Sequence, residues 1–312
     1  MTTFSVADVP EMTGRTVIVT GANSGIGLAT AHALAAAGAR VVFAVRNIEK
    51  GKAAAATVRG TTEVRELDLA SLDSVRAFAS GWDGEIHLLI NNAGASPPSL
   101  ARTADGFELK FGVNHLGHFA LTNLLIQHVT GRVVTVASQA ERFARLDFDD
   151  LNWERRPYRA ARAYSDSKLA NLLFTAELQR RLAAAGSVVL ASAAHPGFVA
   201  TSIYRHDGPR RPADLAWALA IRLLAQDAAL GALPVLYAAV ANAPGNSFAG
   251  PSRRAHMRGD PELIARSAAA EDTELARRLW AVSEQLTSVR WSLTDPSAAA
   301  ASSIAGTGKG DQ

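Results

Sequence analysis

Tyr164 and Lys168 are the two residues whose types and spacing most directly suggest chemistry. They are four positions apart in an alanine-rich stretch, so on a helix they share one face. A free tyrosine has a pKa near 10, and lowering it to about 7 takes about 4 kcal/mol of preferential stabilisation of the phenolate. A neighbouring ammonium stabilises the phenolate in this way, so the pair makes a tuned acid and base. The same spacing is common by chance, and its meaning depends on its surroundings.

A glycine-rich turn near the amino terminus is the second chemical signal. Residues 20–27 (TGANSGIG) follow a β-branched run and open a helical stretch. Gly21 permits a tight turn, Gly25 allows close approach to a phosphate, and Gly27 allows close packing of helix on strand. The free N–H groups at the start of such a helix favour a pyrophosphate. The turn therefore predicts a dinucleotide site.

The end of the second predicted strand selects between the two nicotinamide dinucleotides. An NAD site carries Asp or Glu there, whereas this chain has Arg46 and no acid before Glu49. The planar guanidinium of Arg46 suits a 2′-phosphate and can stack on adenine. The alternative interpretation is a solvated arginine at the start of a helix. The sequence favours NADP, with NAD as the weaker prediction.

Two further polar segments follow predicted strands. Asp68 and Leu69 follow the third strand, where a carboxylate can reach the adenine amino group. Asn91 begins the segment NNAG after the fourth strand, at the carboxyl edge where cofactors bind in such sheets. Taken alone, Asn91 is equally compatible with a simple turn.

These residues are positioned by short β-branched runs that alternate with alanine-rich runs. Strands are predicted at 15–20, 40–45, 62–67, 86–91, 131–137 and 187–193, and helices at 25–37, 48–58, 71–80, 103–127, 161–185, 261–268 and 271–287. Continuous apolar strands separated by helices indicate a parallel sheet covered on both faces. The predicted fold is α/β, a single doubly wound parallel sheet (Rossmann fold) over residues 1–293. Residues 294–312 are predicted to form a disordered tail.

Composition excludes several functional classes. With 48% hydrophobic and 20% charged residues among 312, the chain can build a large core and is neither fibrous nor, for its bulk, disordered. A net charge of +3 is too small to indicate nucleic-acid binding. Without cysteine there are no disulfides, thiolate nucleophiles or cysteine-bound zinc. Neither His118 nor His195 stands in a carboxylate or cysteine cluster, so no metal is expected. Residues 1–14 lack the pattern of a secretory signal and no uncharged span is long enough to cross a membrane, so a cytoplasmic protein is expected.

Together these motifs resemble the short-chain dehydrogenase/reductase family, over about residues 13–290. The matching segments are TGANSGIG at 20–27, DL at 68–69, NNAG at 91–94, Asn114 in GVNHLGHF, Ser138 in VVTVASQA, YSDSK at 164–168 and HPG at 195–197. Within the family the chain resembles the retinol-dehydrogenase-like and protochlorophyllide-reductase-like branch. The segments AVRNIEKGKAA, DLNWERRPY, SKLANLLFTAELQRRL and EDTELARRLWAVSEQLT carry that closer resemblance.

The resemblance implies a role for each residue. Tyr164 would pass a proton to or from the substrate oxygen, while Lys168 would lower the tyrosine pKa and hold the nicotinamide ribose. Ser138 would orient the substrate carbonyl, and Asn114 would anchor a water that links Lys168 to solvent. The implied cofactor contacts are Gly21, Ser24, Gly25, Ile26, Gly27, Arg46, Asp68, Leu69, Asn91, Ala93, Gly94, Tyr164, Lys168, Pro196, Gly197 and Thr201.

The connection at 139–160 is unusually long for the wider family. It places Ser138 and Tyr164 26 positions apart, a lengthening typical of the retinol-dehydrogenase-like branch. Its candidate pocket-rim residues are Arg142, Phe143, Trp153 and Tyr158. The alternative is a surface loop pinned by Trp153.

The main hypothesis is an NADP-dependent oxidoreductase that interconverts a hydroxyl and a carbonyl on a lipophilic small molecule by hydride transfer. The apolar region 198–241 motivates the lipophilic substrate. One alternative is an NADPH-dependent reductase of a carbon–carbon double bond, which the lack of cysteine disfavours. Another is a non-catalytic dinucleotide-binding scaffold, which the complete set of four catalytic-type residues disfavours. Both a homodimer through helix 161–185 and a monomer are compatible with the resemblance, and the late helices are an obstacle to larger assemblies.

Overall fold

The structure, a computed structural model, describes residues 3–199 and 226–293. Within these residues, the first six strands lie close to the six apolar, mostly β-branched segments that the sequence predicts as strands, and the last two were not predicted. The strands are β1 (Thr16–Thr20), β2 (Arg40–Val45), β3 (Thr62–Glu66), β4 (Ile86–Asn91), β5 (Val129–Val136), β6 (Leu190–Ala194), β7 (Phe248–Arg253) and β8 (Arg258–Leu263). The division into a domain of 1–293 and a tail of 294–312 stays a prediction, because 294–312 lies outside the described residues.

The helices occupy the alanine-rich runs between the strands. They are α1 (Gly25–Ala36), α2 (Ile48–Ala55), α3 (Leu72–Ser80), α4 (Leu109–Phe111), α5 (Gly117–Leu125), α6 (Ala160–Ala184), α7 (Ala228–Val240), α8 (Ala268–Glu271) and α9 (Thr273–Thr287). A π-helical turn, Gly112–Leu116, joins α4 to α5. Among the described residues, no helix is both long enough and apolar enough to cross a membrane.

The sheet confirms the predicted doubly wound architecture. Its strand order is β3-β2-β1-β4-β5-β6-β7-β8, and every neighbouring pair is parallel except β7 with β8. The order reverses between β1 and β4, which is where open α/β sheets bind ligands beyond the carboxyl ends of their strands. The fold therefore directs attention to that edge.

Each face of the sheet is buried by its own set of helices. On one face the core includes Val75 of α3, Leu173 of α6 and Trp280 of α9. On the other it includes Leu34 of α1 and Leu236 of α7. Burying a side chain of this size stabilises the fold by about 1.5–3 kcal/mol, so the two cores hold the sheet edge rigid.

Two predicted helices differ from the structure. The helix predicted at 103–127 begins only at Leu109, because Gly106, with φ +85°, forms a turn before it and Glu108 caps it. The helix predicted at 261–268 is wrong, since 258–263 is the antiparallel edge strand β8. Pro261 lies in β8, and an edge strand tolerates proline because it needs fewer N–H donors. Pairing with β7, a contact that local sequence cannot reveal, decides this segment.

Candidate active site

A cleft opens at the carboxyl edge of strands β1 to β6. It brings together most of the residues predicted for the site, from segments nearly 180 positions apart in the chain. Those that line it are Gly21, Ser24, Gly25, Ile26, Gly27, Arg46, Asp68, Leu69, Ala93, Gly94, Ser138, Tyr164, Lys168, Pro196 and Gly197. Thr201, which was also predicted, lies outside the described residues.

The glycine turn forms a cradle that fits a pyrophosphate. Gly21 has φ +66°, which favours glycine, and α1 begins directly after Ser24. A Cβ on Gly27 would lie 2.5 Å from Asn92 Nδ2 and 2.6 Å from the Gly21 carbonyl oxygen. The turn is thus closed by backbone contact that any side chain would disrupt. The first N–H groups of α1 face the cleft with the positive end of the helix dipole.

Arg46 and Asp68 lie at the end of the cleft formed by β2 and β3. Arg46 is exposed, and within the described part of the chain no hydrogen bond or ion pair engages its guanidinium. The Asp68 carboxylate accepts the Ala70 N–H at 2.9 Å, which holds it at the end of β3. Leu69 is buried beside it. This end of the cleft therefore offers one unpaired cation and one fixed carboxylate.

The segment after β4 is connected to β1 through Thr20. The buried Thr20 hydroxyl accepts the N–H groups of Asn92 and Ala93, both at 2.9 Å, and Asn92 Nδ2 donates to the Thr20 carbonyl at 2.8 Å. Asn91 does not line the cleft: its side chain is buried and donates to Thr122 Oγ1 at 2.9 Å. Of the two asparagines in NNAG, the second is therefore the one at the cleft, which sequence reasoning missed.

Ser138 follows β5 at the centre of the cleft. It caps a 3₁₀ turn, Gln139–Phe143, and its hydroxyl accepts the Ala140 N–H at 3.2 Å. Within that turn the buried Glu141 carboxylate accepts the backbone N–H of Ser267 at 2.9 Å and also its hydroxyl. The position of Ser138 thus depends on a contact with a loop 126 residues further along the chain.

Tyr164 and Lys168 lie on one face of α6, as the spacing predicts. Lys168 Nζ is 5.7 Å from the centroid of the Tyr164 ring and donates to the Val136 carbonyl at 3.0 Å. Lys168 is almost fully buried, and this burial lowers its pKa to about 8. Charging a buried ammonium is costly, so the lysine is mainly charged at neutral pH but loses its charge as the pH rises through about 8.

Asn114 lies in the π-helical turn, is fully buried and does not line the cleft. Its Nδ2 donates to Ser167 Oγ at 2.9 Å and to the Ala95 carbonyl at 3.2 Å, while its Oδ1 accepts the Ala95 N–H at 2.7 Å. π-Helical turns are rare and occur often at functional sites. Here the turn fixes the asparagine between the loop after β4 and helix α6.

The segment after β6 closes the cleft. Gly197 has φ +77°, and a Cβ there would lie 2.6 Å from the Met257 carbonyl oxygen. The Pro196 carbonyl accepts Gln226 Nε2 at 2.7 Å. His195, for which a structural role was predicted, is buried, and burial lowers its pKa to about 3.

The four rim candidates of the connection are not part of the cleft lining among the described residues. Trp153 is buried with the Arg156 guanidinium 3.8 Å above its ring, and Tyr158 donates to Glu108 Oε1 at 2.8 Å. Both pin the connection to the fold, in agreement with the alternative interpretation. Phe143 is 74% exposed, and Arg142 donates to the Ala265 carbonyl at 2.9 Å.

Other cleft residues lay outside the sequence predictions. They are Asn23, Ala44, Val45, Leu67, Asn92, Ala95, Leu109, Val113, Val136, Ala137 and Val199. Asn23 and Asn92 lie inside motifs that the sequence did single out. The apolar members carry no chemical signal, and only the folded sheet edge places them here.

A doubly wound sheet whose switch point carries a glycine cradle and a tyrosine–lysine pair defines an α/β enzyme of the dinucleotide-dependent class. The family model of short chain dehydrogenases matches residues 15–211, and the chain belongs to that family. It is an NAD(P)-dependent oxidoreductase that acts on alcohol and carbonyl groups.

Several named proteins are similar to this chain. Retinol dehydrogenase 13 of Homo sapiens is 44% identical over 90% of this chain and 86% of its own length, and retinol dehydrogenase 11 of Homo sapiens is 41% identical over 88% and 86%. A crystal structure of an uncharacterised protein from Mycobacterium Paratuberculosis is 49% identical, with a TM-score of 0.81 over 94% of this chain and all of its own. A short chain dehydrogenase/reductase from Burkholderia phymatum, solved in complex with NAD, has a TM-score of 0.56 at 24% identity over 73% of this chain and 86% of its own, which supports the fold alone.

Proposed function

We propose that this protein is an NADP-dependent oxidoreductase that interconverts a hydroxyl and a carbonyl on a lipophilic small molecule, with Tyr164 as the acid and base. The observation that supports it most is the shared cleft. Tyr164, Lys168 and Ser138 line the same cleft as the glycine cradle, at the switch point of the sheet. A bound nicotinamide supplies the hydride, and the chain supplies position and proton transfer.

The proposed roles follow from the contacts of each side chain. Tyr164 holds the proton that moves to or from the substrate oxygen. The charge of Lys168 favours the tyrosinate, and its buried position keeps that charge close to the ring. The Ser138 hydroxyl donates towards the substrate oxygen, where negative charge develops. Asn114 holds the start of α6 through Ser167.

We propose that the cradle, Arg46, Asp68 and the loop after β4 contact the cofactor. Arg46 supports NADP over NAD, because its exposed guanidinium borders the cleft where the 2′-phosphate of adenosine would bind. Asp68 is held with its carboxylate at the adenine end. Thr201 stays a prediction as a cofactor contact. Asn91 lies outside the cleft lining and would act only by positioning its neighbours Asn92 and Ala93.

The lipophilic substrate is inferred from the relatives. Proteins named retinol dehydrogenase match most of this chain at 40% identity or more, and retinol is a lipophilic alcohol. The chain is therefore expected to accept an apolar alcohol, aldehyde or ketone. The homodimer and the cytoplasmic location stay predictions, and sedimentation of a single 32.8 kDa species at high concentration would contradict the dimer.

The proposed role of Tyr164 is tested by Tyr164→Phe. General acid–base catalysis contributes up to about 10⁴-fold, so kcat is expected to fall by about 10³-fold while NADPH binding is retained. Wild-type activity is expected to fall as the pH rises through about 8, because Lys168 loses its charge there. Steady-state kinetics against lipophilic aldehydes and alcohols measures both effects.

Tyr237→Phe is the matched control, since Tyr237 packs against Phe4 outside the cleft. It is expected to keep kcat within about threefold of wild type. Full turnover in Tyr164→Phe would contradict the proposed mechanism. NADPH binding by wild type without turnover of any alcohol or carbonyl would favour the dinucleotide-binding scaffold.

The cofactor preference is tested by fluorescence titration with NADPH and NADH. Arg46→Ala is expected to weaken NADPH binding by about 10- to 100-fold, because charge-assisted hydrogen bonds to the 2′-phosphate are lost, and to leave NADH binding unchanged. Arg59→Ala, an exposed arginine outside the cleft, is the control. Stronger binding of NADH than of NADPH by wild type would contradict the role given to Arg46.

A further inference from the structure

His118 is a buried histidine that the proposed mechanism does not use. It lies in α5, four residues after Asn114, and only 1% of it is exposed. Its Nε2 is 2.8 Å from the Thr20 hydroxyl oxygen, and its Nδ1 is 3.1 Å from the main-chain carbonyl oxygen of Asn114. The imidazole therefore lies between the end of β1 and the π-helical turn.

The hydrogen positions in this arrangement are determined by its partners. The Asn114 carbonyl only accepts, so Nδ1 carries the hydrogen. The Thr20 hydroxyl accepts the N–H groups of Asn92 and Ala93. Its own hydrogen donates to Nε2 at 2.8 Å, which is much closer than its other acceptor, the Ile90 carbonyl oxygen at 3.4 Å. His118 is thus neutral and in the Nδ1–H tautomer. Burial, the hydrogen bond to the Asn114 carbonyl and the charge of Lys168 together leave its pKa at about 4, with burial the main cause of the lowering.

The contacts of His118 continue towards Tyr164. Asn114 Nδ2 donates to Ser167 Oγ at 2.9 Å, and that hydroxyl donates to the main-chain carbonyl of Tyr164 at 2.7 Å. Four hydrogen bonds in sequence thus run from Thr20 through His118, Asn114 and Ser167 to the backbone of Tyr164. At its other end, Thr20 is the first residue of the glycine cradle and holds the loop that carries Ala93.

We propose that His118 is a positioning residue that couples the dinucleotide cradle to Tyr164 through this series of hydrogen bonds. The effect of His118 on catalysis rests on the proposed function. The placement of a neutral Nδ1–H imidazole between Thr20 and Asn114 does not depend on that function. The contact of the imidazole with Thr20 fixes the position of the loop that carries Ala93, and its contact with Asn114 fixes the position of the start of α6. A displacement of reacting groups by about 1 Å can cost about 100-fold in rate, so both sides matter.

His115 provides an internal comparison three residues away. It is also buried, but its Nε2 lies 2.8 Å from Ser283 Oγ of α9, and the Ser283 hydroxyl donates to the Leu279 carbonyl. With the Ser283 hydrogen donated to Leu279, we assign the His115 hydrogen to Nε2, the tautomer opposite to that of His118. Its contact leads away from the cleft, so it acts on stability alone.

Two substitutions separate the two sides of His118. The amide of Asn reaches the Nδ1 position, so His118→Asn keeps a donor to the Asn114 carbonyl and loses Thr20. The amide of Gln reaches the Nε2 position, so His118→Gln keeps an acceptor for Thr20 and loses Asn114. We expect His118→Asn to weaken NADPH binding by about tenfold with kcat within threefold, and His118→Gln to lower kcat by about tenfold with NADPH binding within threefold. His118→Leu is expected to do both.

The measurements are NADPH titration, kcat, melting temperature and ¹⁵N NMR of histidine-labelled protein. The NMR spectrum of the wild type is expected to show His118 as neutral Nδ1–H and His115 as neutral Nε2–H. His115→Leu is the matched control and is expected to lower the melting temperature while kcat and NADPH binding stay within twofold of wild type.

Three outcomes would overturn the proposal. The first is a His118 that carries its hydrogen on Nε2, or is charged, at neutral pH. The second is a loss of NADPH binding and of kcat that is equal in all three His118 variants and proportional to the fall in melting temperature. The third is wild-type kcat and NADPH binding in His118→Leu. Failure of the proposed function would look different. In that case the wild type itself would turn over no alcohol or carbonyl, while the tautomer and the split in NADPH binding would still decide the role of His118.

Discussion

The glycine cradle at 20–27 and the connection at 139–160 both end at the cleft, but they are built in opposite ways. The cradle is shaped by backbone: Gly21 adopts a positive φ, and Gly27 leaves no room for a Cβ. The connection is shaped by buried polar side chains. Asp150 accepts the N–H groups of Glu154 and Arg156, and Tyr158 donates to Glu108.

The difference teaches what each region can tolerate. A cradle made of backbone fails when an atom is added, because the contact distances leave no space. A connection held by buried polar groups fails when an atom is removed, because the remaining partner is left buried and unpaired, at a cost of about 1–3 kcal/mol. The two regions should therefore respond to opposite kinds of substitution, and in different observables.

The largest effect is expected from adding a methyl group to the cradle. In Gly27→Ala the new Cβ meets Asn92 Nδ2 and the Gly21 carbonyl, so the turn must open. Losing two charge-assisted hydrogen bonds to the pyrophosphate, at about 1.5 kcal/mol each, weakens NADPH binding by roughly 100-fold. Gly81→Ala, at the end of α3 where a Cβ meets only the Ala77 carbonyl at 3.4 Å and the Phe78 carbonyl at 3.9 Å, is the control in the same titration. Unchanged binding in Gly27→Ala would contradict the comparison.

An intermediate effect is expected from removing polar atoms at the start of the connection. Glu141→Leu removes the acceptor of the N–H and hydroxyl of the half-buried Ser267, and it releases the turn that Ser138 caps. We expect kcat to fall by about tenfold, with NADPH binding within twofold of wild type. Glu141→Gln retains an oxygen for the Ser267 N–H and should recover most of the rate. If Glu141→Leu weakened NADPH binding instead of kcat, the cradle and the connection would not act on separate observables.

The smallest effect concerns stability against pH. Asp166 is buried on α6, and burial raises its pKa to about 6. Because the folded state then binds the proton more tightly than the unfolded state, the contribution of Asp166 to stability falls as the pH rises from about 4 to about 6. Asp166→Asn keeps an oxygen to accept the Arg145 N–H, and it should reduce that slope by about 1 kcal/mol per pH unit between pH 4 and pH 6. Denaturant unfolding at several pH values measures the slope, and an unchanged slope would contradict the assignment.

Local sequence predicted the first half of the fold better than the second. The strands up to β5 and the helices α1 to α3 occur close to their predicted positions. Each has the spacing of apolar residues typical of one kind of element and is bounded by glycine or polar residues. Strands β7 and β8 were not predicted. Strand β8 contains Gly259 and Pro261 and is stabilised by pairing with β7. The π-helical turn around Asn114 also has no local signature and is held by contacts to α6 and to the loop after β4.

By itself the sequence determined the class of fold, the glycine cradle and the tyrosine–lysine pair, because these depend on residue type and short spacing. Only the tertiary structure decided which asparagine of NNAG faces the cleft, how Glu141 reaches Ser267, and how His118 connects Thr20 to Asn114. Those contacts join residues up to 126 positions apart. Their energies come from burial and from hydrogen-bond partners that exist only once the sheet has brought the distant segments together.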